Sequence, residues 1–197
     1  PGPLKEMIQR FESCGQCPIS CSSVIEFEFN GETVISERIE HESHWSLGPL
    51  CDIGDLNATL KANDTCDRLG MDTVSAGVSI AFAMEARENG LISDADLGGL
   101  DLRWGNATLL DPLLERIARR EGVGDLLADG VRAAAAALGN GSSHYAMHVK
   151  GLELSAFEPR AFTGMGLNFA TASRGADHNR AFTIAAEYYG ILGDLDR

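Results

Sequence analysis

The sequence has little positive charge, few cysteines and no long apolar segment. Its 16 lysines and arginines are outnumbered by 29 aspartates and glutamates, which gives a formal net charge of -13. Such a balance argues against a nucleic-acid partner, because an acidic surface repels a phosphate backbone. No apolar run approaches the roughly 18 residues needed to span a bilayer, and no signal peptide opens the chain. We therefore expect no membrane association and a cytoplasmic location.

The five cysteines are unevenly distributed. Cys14, Cys17 and Cys21 form a C-x2-C-x3-C pattern, whereas Cys51 and Cys66 stand alone. Clustered thiols of this kind indicate metal ligation in a reducing compartment rather than a secreted disulfide framework. Because no fourth cysteine or histidine lies close by, the pattern favours a [4Fe–4S] cluster with a distant fourth ligand. Structural zinc, and buried or disulfide-bonded thiols, are the two alternatives.

Apolar spacing predicts a mainly α-helical chain with one small β-hairpin near the N-terminus. Two alternating segments within 24–36 flank Asn30-Gly31, the strongest short signal for a type I′ turn. A helical rhythm over 4–11 precedes the cysteine loop. The remaining predicted elements are helices over about 55–69, 72–89, 125–138, 166–173 and 180–189, a further helix that starts between 106 and 111 and stops at 122, and an extended segment over 149–160. No internal repeat or long linker divides the chain.

The segment that joins the first two of these helices carries two carboxylates, Asp67 and Asp72. Asp67 falls in the last turn of one helix, where the negative end of the helix dipole disfavours a carboxylate. Asp72 falls where the next helix begins, so it is either a simple N-cap or, with Asp67, an acceptor for the N–H donors of a bound heterocycle.

Two further polar clusters are candidates for chemistry. Glu40 and Glu42 lie just after the hairpin, next to apolar residues. They belong either to a surface acid–base cluster or to a site in which a carboxylate with a raised pKa acts as general acid or base. His178 is either a structural hydrogen-bonding residue or a catalytic residue whose tautomer is fixed by Asp177.

Several motifs follow one another along the chain. They are the cysteine pattern and hairpin, Glu-x-Glu at 40–42 with Leu47-Gly48, Cys66-Asp-Arg-Leu-Gly-Met-Asp-Thr73, Lys150-Gly-Leu-Glu-Leu154, Pro159-Arg160, Gly164-Met-Gly166 and Arg174-Gly-Ala-Asp-His178. Their order resembles that of the tungsten-containing aldehyde:ferredoxin oxidoreductases, and the resemblance covers nearly the whole chain. It implies the multi-helical fold of domains 2 and 3 of that family.

The resemblance implies an oxidoreductase that converts an aldehyde and water into a carboxylate. Its electrons would pass through a [4Fe–4S] cluster to ferredoxin or to an electron-transfer subunit. Its metal would be tungsten, or molybdenum, held by two pyranopterins, with magnesium also present in the full-length protein. The cofactor would supply the redox chemistry and the protein would supply positioning and proton handling.

The same resemblance assigns roles to residues of this chain. Three cluster ligands are implied by motif match: Cys14, Cys17 and Cys21. Asp67, Met71 and Asp72 match the pterin-binding D-x-x-G-L-D motif, with Met71 in the usual leucine position. Glu42 would be a general base, and His178 would donate a hydrogen bond to a developing oxyanion or to an oxo group.

The sequence also departs from the family pattern. His41 and Phe157 stand where many members have tyrosine, which puts the familiar aldehyde range in question. We expect the N-terminal β domain of the family, and the C-terminal segment with the second pterin motif and the fourth cluster cysteine, to lie outside these 197 residues. We therefore expect 1–197 to be a cluster- and pterin-contacting helical fragment that is inactive alone.

Two other functions remain open at this point. One is ring reduction, as in the class II benzoyl-CoA reductases, which share the fold and cofactor. The other is a non-catalytic module that binds no metal, or only zinc or a partial cluster. Assembly as a homodimer or with an electron-transfer subunit is equally open.

Overall fold

The structure is a computed structural model that describes residues 2–189. Its first part is an antiparallel sheet with the strand order β1-β2-β3. Helix α1 is a single turn, and the chain then enters the sheet. The elements of this part are α1 (Pro3–Glu6), β1 (Ile8–Glu12), β2 (Ser22–Phe29) and β3 (Glu32–Glu37). The β2–β3 turn has positive φ at Asn30 (52°) and Gly31 (83°), as the predicted type I′ hairpin requires.

The helix predicted over 4–11 is wrong beyond its first turn. From Ile8 the chain forms β1, which pairs with β2 through the register Ile8↔Ile25 and Phe11↔Ser23. Pairing with β2 and burial of Ile25 outweigh a local helical rhythm that was only two turns long. The hairpin is consequently part of a three-stranded sheet. A second, two-stranded sheet consists of β4 (His148–Val149) and β5 (Leu152–Glu153).

The rest of the described chain is largely helical, which confirms the predicted fold class. Its helices are α2 (His41–Leu47), α3 (Leu56–Leu69), α4 (Thr73–Glu88), α5 (Asp94–Leu97), α6 (Leu110–Arg119), α7 (Val123–Leu127), α8 (Gly130–Leu138), α9 (Thr163–Thr171) and α10 (Ile184–Tyr189). The largest core lies between α3, α4, α6, α7 and α8. Within residues 2–189, every helix is too short or too polar to cross a membrane.

Helices α3 and α4 end where their sequence signals predict. Asp55 caps α3 by accepting the N–H of Ala58 at 3.0 Å, and Gly70 closes it in the left-handed conformation with φ 68°. Asp72 then caps α4 by accepting the N–H of Ser75 at 2.7 Å. The cap residues predicted from the sequence at these helix ends are therefore the ones that cap the helices in the folded structure.

The single helix predicted over 125–138 is divided into α7 and α8. Gly130 has φ 80° at the break, and Glu153 from β5 accepts the N–H of Val131 at 2.9 Å. A Cβ on Gly130 would lie 2.5 Å from Glu153 Oε1, so the close approach requires glycine. The break is caused by a contact with a distant strand, which helical periodicity does not encode.

Other boundaries also differ from the prediction. Helix α6 ends at Arg119, before the predicted stop at Gly122. The segment predicted as extended over 149–160 forms strand only at its beginning, in β4 and β5. Helix α9 begins three residues earlier than predicted and α10 begins four residues later. Helix α2 was not predicted, because its seven residues carry mostly polar side chains.

Candidate active site

The three clustered cysteines lie in one irregular loop between β1 and β2. Gln16 and Ser20 adopt positive φ (65° and 52°), and the N–H of Cys17 donates to the Cys14 carbonyl at 3.0 Å. All three thiols are free, and none is buried. Arg38 anchors the end of the loop by donating from Nη2 to the Cys21 carbonyl at 2.8 Å.

This loop fits part of an iron–sulfur site. Three free thiols on one irregular loop supply three of the four thiolates that a [4Fe–4S] cluster uses. Among the residues that the structure describes, no three His, Cys, Asp or Glu side chains are already arranged around a common point as a metal site. The assignment of Cys14, Cys17 and Cys21 as ligands therefore stays a prediction.

The turn between α3 and α4 carries Asp67, Met71 and Asp72. The N–H of Met71 donates to the Cys66 carbonyl at 2.9 Å, which completes the C-terminal turn of α3. Asp72 is the N-cap, so its structural interpretation is correct. A cavity of about 390 Å³ adjoins this turn, and Gly70, Met71 and Asp72 form part of its wall. An N-cap can also accept from a ligand with its second oxygen, so pterin binding stays a prediction for all three residues.

Asp67 is held in an unfavourable electrostatic environment. Partial burial, and then the negative charges of Glu37 and Asp64, raise the pKa of the Asp67 carboxyl. Its Oδ2 accepts a hydrogen bond from Asn63 Nδ2 at 3.1 Å. A carboxyl group whose pKa is perturbed by burial and by neighbouring charges is a candidate functional residue.

Glu42 lies in the first turn of α2, and only 12% of its side chain is exposed. Its Oε2 accepts the N–H of Ala156 at 2.7 Å, and its Oε1 lies 3.1 Å from Nδ1 of His41. The carboxylate is therefore held in one orientation by two groups from different parts of the chain. This geometry differs from that of the solvated surface cluster that was the alternative interpretation.

His178 lies beside Phe157, with the ring centroids 5.6 Å apart. Asp177 does not act as its partner, because the Asp177 carboxylate accepts the N–H of Asn179 at 2.9 Å and contacts Arg174 and Arg180 at 3.2 and 3.3 Å. The Asn179 hydrogen bond is the main cause of the lowered pKa of Asp177. The suggested Asp177–His178 pair is therefore wrong.

The fold brings Glu42 and His178 to the wall of one cavity of about 760 Å³. Phe157 and Phe162 supply apolar wall beside them. A smaller cavity of about 120 Å³ is lined by both His178 and Asp72, which connects the histidine to the α3–α4 turn. An apolar cavity with a few converging polar groups is the usual form of a small-molecule site. Its carboxylate and imidazole can exchange a proton with a bound molecule.

Sequence reasoning missed the backbone N–H of Ala156 and the buried side chain of Glu153. Glu153 is only 5% exposed, and it links α4 to α8 by accepting hydrogen bonds from Ser75 Oγ and the Val131 N–H. Its position in the Lys150–Leu154 motif was the available signal. Every residue except proline has a backbone N–H, so the sequence could not single out that of Ala156.

Comparison with known proteins identifies the group to which this chain is related. The profile for domains 2 and 3 of aldehyde ferredoxin oxidoreductase matches residues 3–197. The tungsten-containing aldehyde ferredoxin oxidoreductase of Pyrococcus furiosus is 43% identical over 188 residues, which are 95% of this chain and 30% of the relative. The enzyme of the same name from Thermococcus kodakarensis is 40% identical over the same shares.

A solved structure is also similar. The active-site complex BamBC of benzoyl coenzyme A reductase, in complex with 1,5-dienoyl-CoA, superimposes with a TM-score of 0.68 and 29% identity. The match covers 86% of this chain and 25% of that one.

The matching profile, the curated relatives and the solved structure are all named as oxidoreductases or reductases. The chain belongs to the aldehyde ferredoxin oxidoreductase family. It spans about 30% of the length of the curated relatives that it matches, and the matched part corresponds to domains 2 and 3 of the family.

Proposed function

We propose that this chain is the central part of a tungstopterin enzyme that oxidises an aldehyde and water to a carboxylate, with release of two electrons and protons. The convergence of Glu42 and His178 on one cavity is the observation that carries this proposal. The names of the relatives support the tungsten and the aldehyde. When bound, the tungsten–pterin group would accept the two electrons, and a [4Fe–4S] cluster would pass them to ferredoxin.

The residues of this chain have distinct tasks in the proposed reaction. Glu42 takes a proton from the attacking water. The Ala156 N–H donates a hydrogen bond that holds Oε2 of Glu42 in place, whereas Oε1 of the same carboxylate lies beside His41. His178 donates a hydrogen bond to the oxygen on which negative charge develops. The phenyl rings of Phe157 and Phe162 exclude water from the apolar part of the substrate.

Two groups of residues would hold the cofactors. Cys14, Cys17 and Cys21 would be cluster ligands, with the fourth supplied from outside these residues. The α3–α4 turn, through Asp67, Met71 and Asp72, would accept hydrogen bonds from the N–H groups of a pterin. Asp72 already lines a cavity with His178, so a pterin at this turn would lie close to the proposed acid–base pair.

Anaerobic metal analysis and EPR on the full-length polypeptide test the proposal. We expect about four irons together with tungsten, and a signal from the reduced cluster. Cys17→Ser should lower the iron content, whereas Cys51→Ser should leave it unchanged, because Cys51 is buried in the helical core. Zinc without pterin would show that the chain is a non-catalytic module.

A ring-reducing activity is the second candidate, and the structural similarity to the benzoyl coenzyme A reductase complex favours it. The aldehyde enzymes are closer in sequence, at 40–43% identity against 29%. Turnover of free aldehydes against aromatic acyl-CoA thioesters, measured with the same full-length protein, separates the two. A preference for the thioester would replace the first proposal with the second.

A further inference from the structure

Glu153 is a buried carboxylate between the first turns of two helices. It belongs to β5, and the residue is only 5% exposed. Its Oε1 accepts the N–H of Val131 at 2.9 Å, in the first turn of α8. Its Oε2 accepts a hydrogen bond from Ser75 Oγ at 2.7 Å, in the first turn of α4. Because the positive end of a helix dipole lies at the N-terminus, both helices stabilise the negative charge of Glu153.

The first turn of α8 depends on this carboxylate. Asp129 precedes the helix, but within the described chain its side chain makes no capping hydrogen bond. Glu153 therefore supplies an acceptor that the N–H groups at this helix end need. Gly130 allows the approach, since a Cβ there would lie 2.5 Å from Oε1 of Glu153. The side chain of Glu153 is consequently held in one place.

A series of hydrogen bonds connects Glu153 with the α3–α4 turn. The backbone N–H of Ser75 donates to Oδ1 of Asp72, and the hydroxyl of the same serine donates to Glu153. Asp72 and Glu153 also line the cavity of about 120 Å³, together with His178. The hydrogen bonds of Ser75 therefore hold β5 against the turn at which we propose that a pterin binds.

In the other direction along the chain, β5 leads to the residue that holds Glu42. The N–H of Leu154 donates to the Met147 carbonyl at 3.3 Å. Two residues later, the N–H of Ala156 donates to Oε2 of Glu42 at 2.7 Å. Because Glu153 lies three positions before Ala156, a shift of β5 relative to α4 would also displace this N–H from Glu42.

We propose that Glu153 is a positioning residue, which fixes the Ala156 N–H relative to the α3–α4 turn and thereby orients Glu42. Both oxygens of Glu153 are already engaged, and the residue lines the cavity of about 120 Å³ rather than the cavity of about 760 Å³ that Glu42 lines. It therefore acts through Ala156 and not on the substrate. This inference rests on the proposed function, in which Glu42 is the base.

Two substitutions of Glu153 in the full-length polypeptide separate position from charge. Glu153→Ala removes both acceptors, so kcat for aldehyde oxidation should fall roughly 10- to 100-fold, while KM and the tungsten and iron contents stay unchanged. In Glu153→Gln, the amide oxygen can accept the Val131 N–H and the amide nitrogen can donate to Ser75 Oγ. This variant should therefore recover most of the activity that Glu153→Ala loses.

Hydrogen exchange, followed by mass spectrometry, gives a readout that does not depend on turnover. The amides of 154–157 should exchange about fivefold faster in Glu153→Ala, the effect of one weakened hydrogen bond, and Glu153→Gln should restore their protection. Ser75→Ala keeps its own N–H on Asp72 and the bond from Glu153 to Val131. It should show the same changes to a smaller extent, and it tests the proposal even if Glu153→Ala does not fold.

Ser142→Ala is the control for a loss of stability alone. Ser142 is fully buried, and its Oγ donates to the Ala135 carbonyl at 3.0 Å within the helical core. This variant should leave kcat and the exchange of 154–157 unchanged. An equal fall in kcat in Ser142→Ala and Glu153→Ala would reduce Glu153 to a structural residue.

Three other results would overturn the proposal. They are normal kcat in both Glu153→Ala and Ser75→Ala, unchanged exchange of 154–157 in both, and a Glu153→Gln variant as inactive as Glu153→Ala. Faster exchange of 154–157 in Glu153→Ala, in a polypeptide that oxidises no aldehyde, would reject the proposed function alone, since the link from Glu153 to the Ala156 N–H would stand.

Discussion

The carboxylate of Glu42 accepts the backbone N–H of Ala156 at 2.7 Å, although the two residues are 114 positions apart. The bond joins the first turn of α2 to the segment after β5, and Phe157 follows immediately in the wall of the cavity. The orientation of the proposed base therefore depends on a distant segment of the fold as well as on its sequence neighbour His41.

Replacement of Glu42 tests its role as the base. Glu42→Gln should reduce turnover of the full-length enzyme about 100-fold, because the amide cannot take a proton but can still accept the Ala156 N–H. Iron and tungsten contents should not change. Glu115→Gln, in an exposed pair with Arg119, is the control and should have normal turnover. Normal turnover in Glu42→Gln would remove Glu42 from the mechanism.

The capping and cofactor roles of Asp72 can be separated by substitution. Asp72→Ala should destabilise the fold by about 1 kcal/mol through loss of the cap, whereas Asp72→Asn should keep the cap. If Asp72 also binds pterin, Asp72→Asn should still lower the tungsten content. Asp55→Asn, at the equivalent cap of α3, is the matched control. Equal tungsten contents in the two asparagine variants would limit Asp72 to capping.

Gly77 allows close contact between α4 and the helix that carries Glu42. A Cβ at this position would lie 2.4 Å from the Ser46 carbonyl group, so α2 would have to move. We expect Gly77→Ala to lower the free energy of unfolding by about 1–3 kcal/mol in urea titrations, despite the better helix propensity of alanine. Gly54→Ala, where a Cβ meets nothing within 4 Å, should be near neutral. Equal free energies of unfolding for Gly77→Ala and Gly54→Ala would show that α2 and α4 can move apart at little cost.

Asp67 should reduce the stability of the folded protein at neutral pH. Because its pKa is raised on folding, the folded state binds the proton more readily than the unfolded state, and ionisation disfavours the fold. Asp67→Asn should therefore stabilise the protein by up to about 1 kcal/mol near pH 7, after allowance for solvent screening. The gain should disappear as the pH falls below about 4, where the unfolded carboxyl is also protonated.

Asp64→Asn is the contrasting control in urea titrations at the two pH values. Asp64 is paired with Lys61 at 3.2 Å and with Arg68 at 2.8 Å. Its replacement should destabilise the fold near pH 7. Destabilisation by Asp67→Asn as well would mean that the Asn63 hydrogen bond outweighs the repulsion at position 67.

Local signals predicted the parts of the fold in which one element determines its own ends. The Asn30-Gly31 turn and the caps of α3 and α4 at Asp55, Gly70 and Asp72 agree with the structure, because each satisfies its backbone groups within a few residues. Strand β1 and the α7–α8 break were missed because both depend on a distant partner: Ile25 for the strand and Glu153 for the break.

The candidate site was likewise predicted only in part. Glu42 and His178 were identified by motif, and the structure brings them to one cavity. The partners that orient them, Ala156 and Phe157, come from another part of the chain. Asp177 is adjacent to His178 in the sequence, but its carboxylate contacts Asn179, Arg174 and Arg180 instead.

The burial of Cys51 and Cys66 divides the five thiols into two chemical classes. Burial raises the pKa of each to about 12, so at neutral pH both remain as thiols that react poorly with alkylating reagents. Cys14, Cys17 and Cys21 lie in the loop before β2, where a reagent can reach them. If these three thiols are the cluster ligands, as proposed, the number of sulfurs that iodoacetamide labels in the native protein should fall from three towards zero as the loop binds metal.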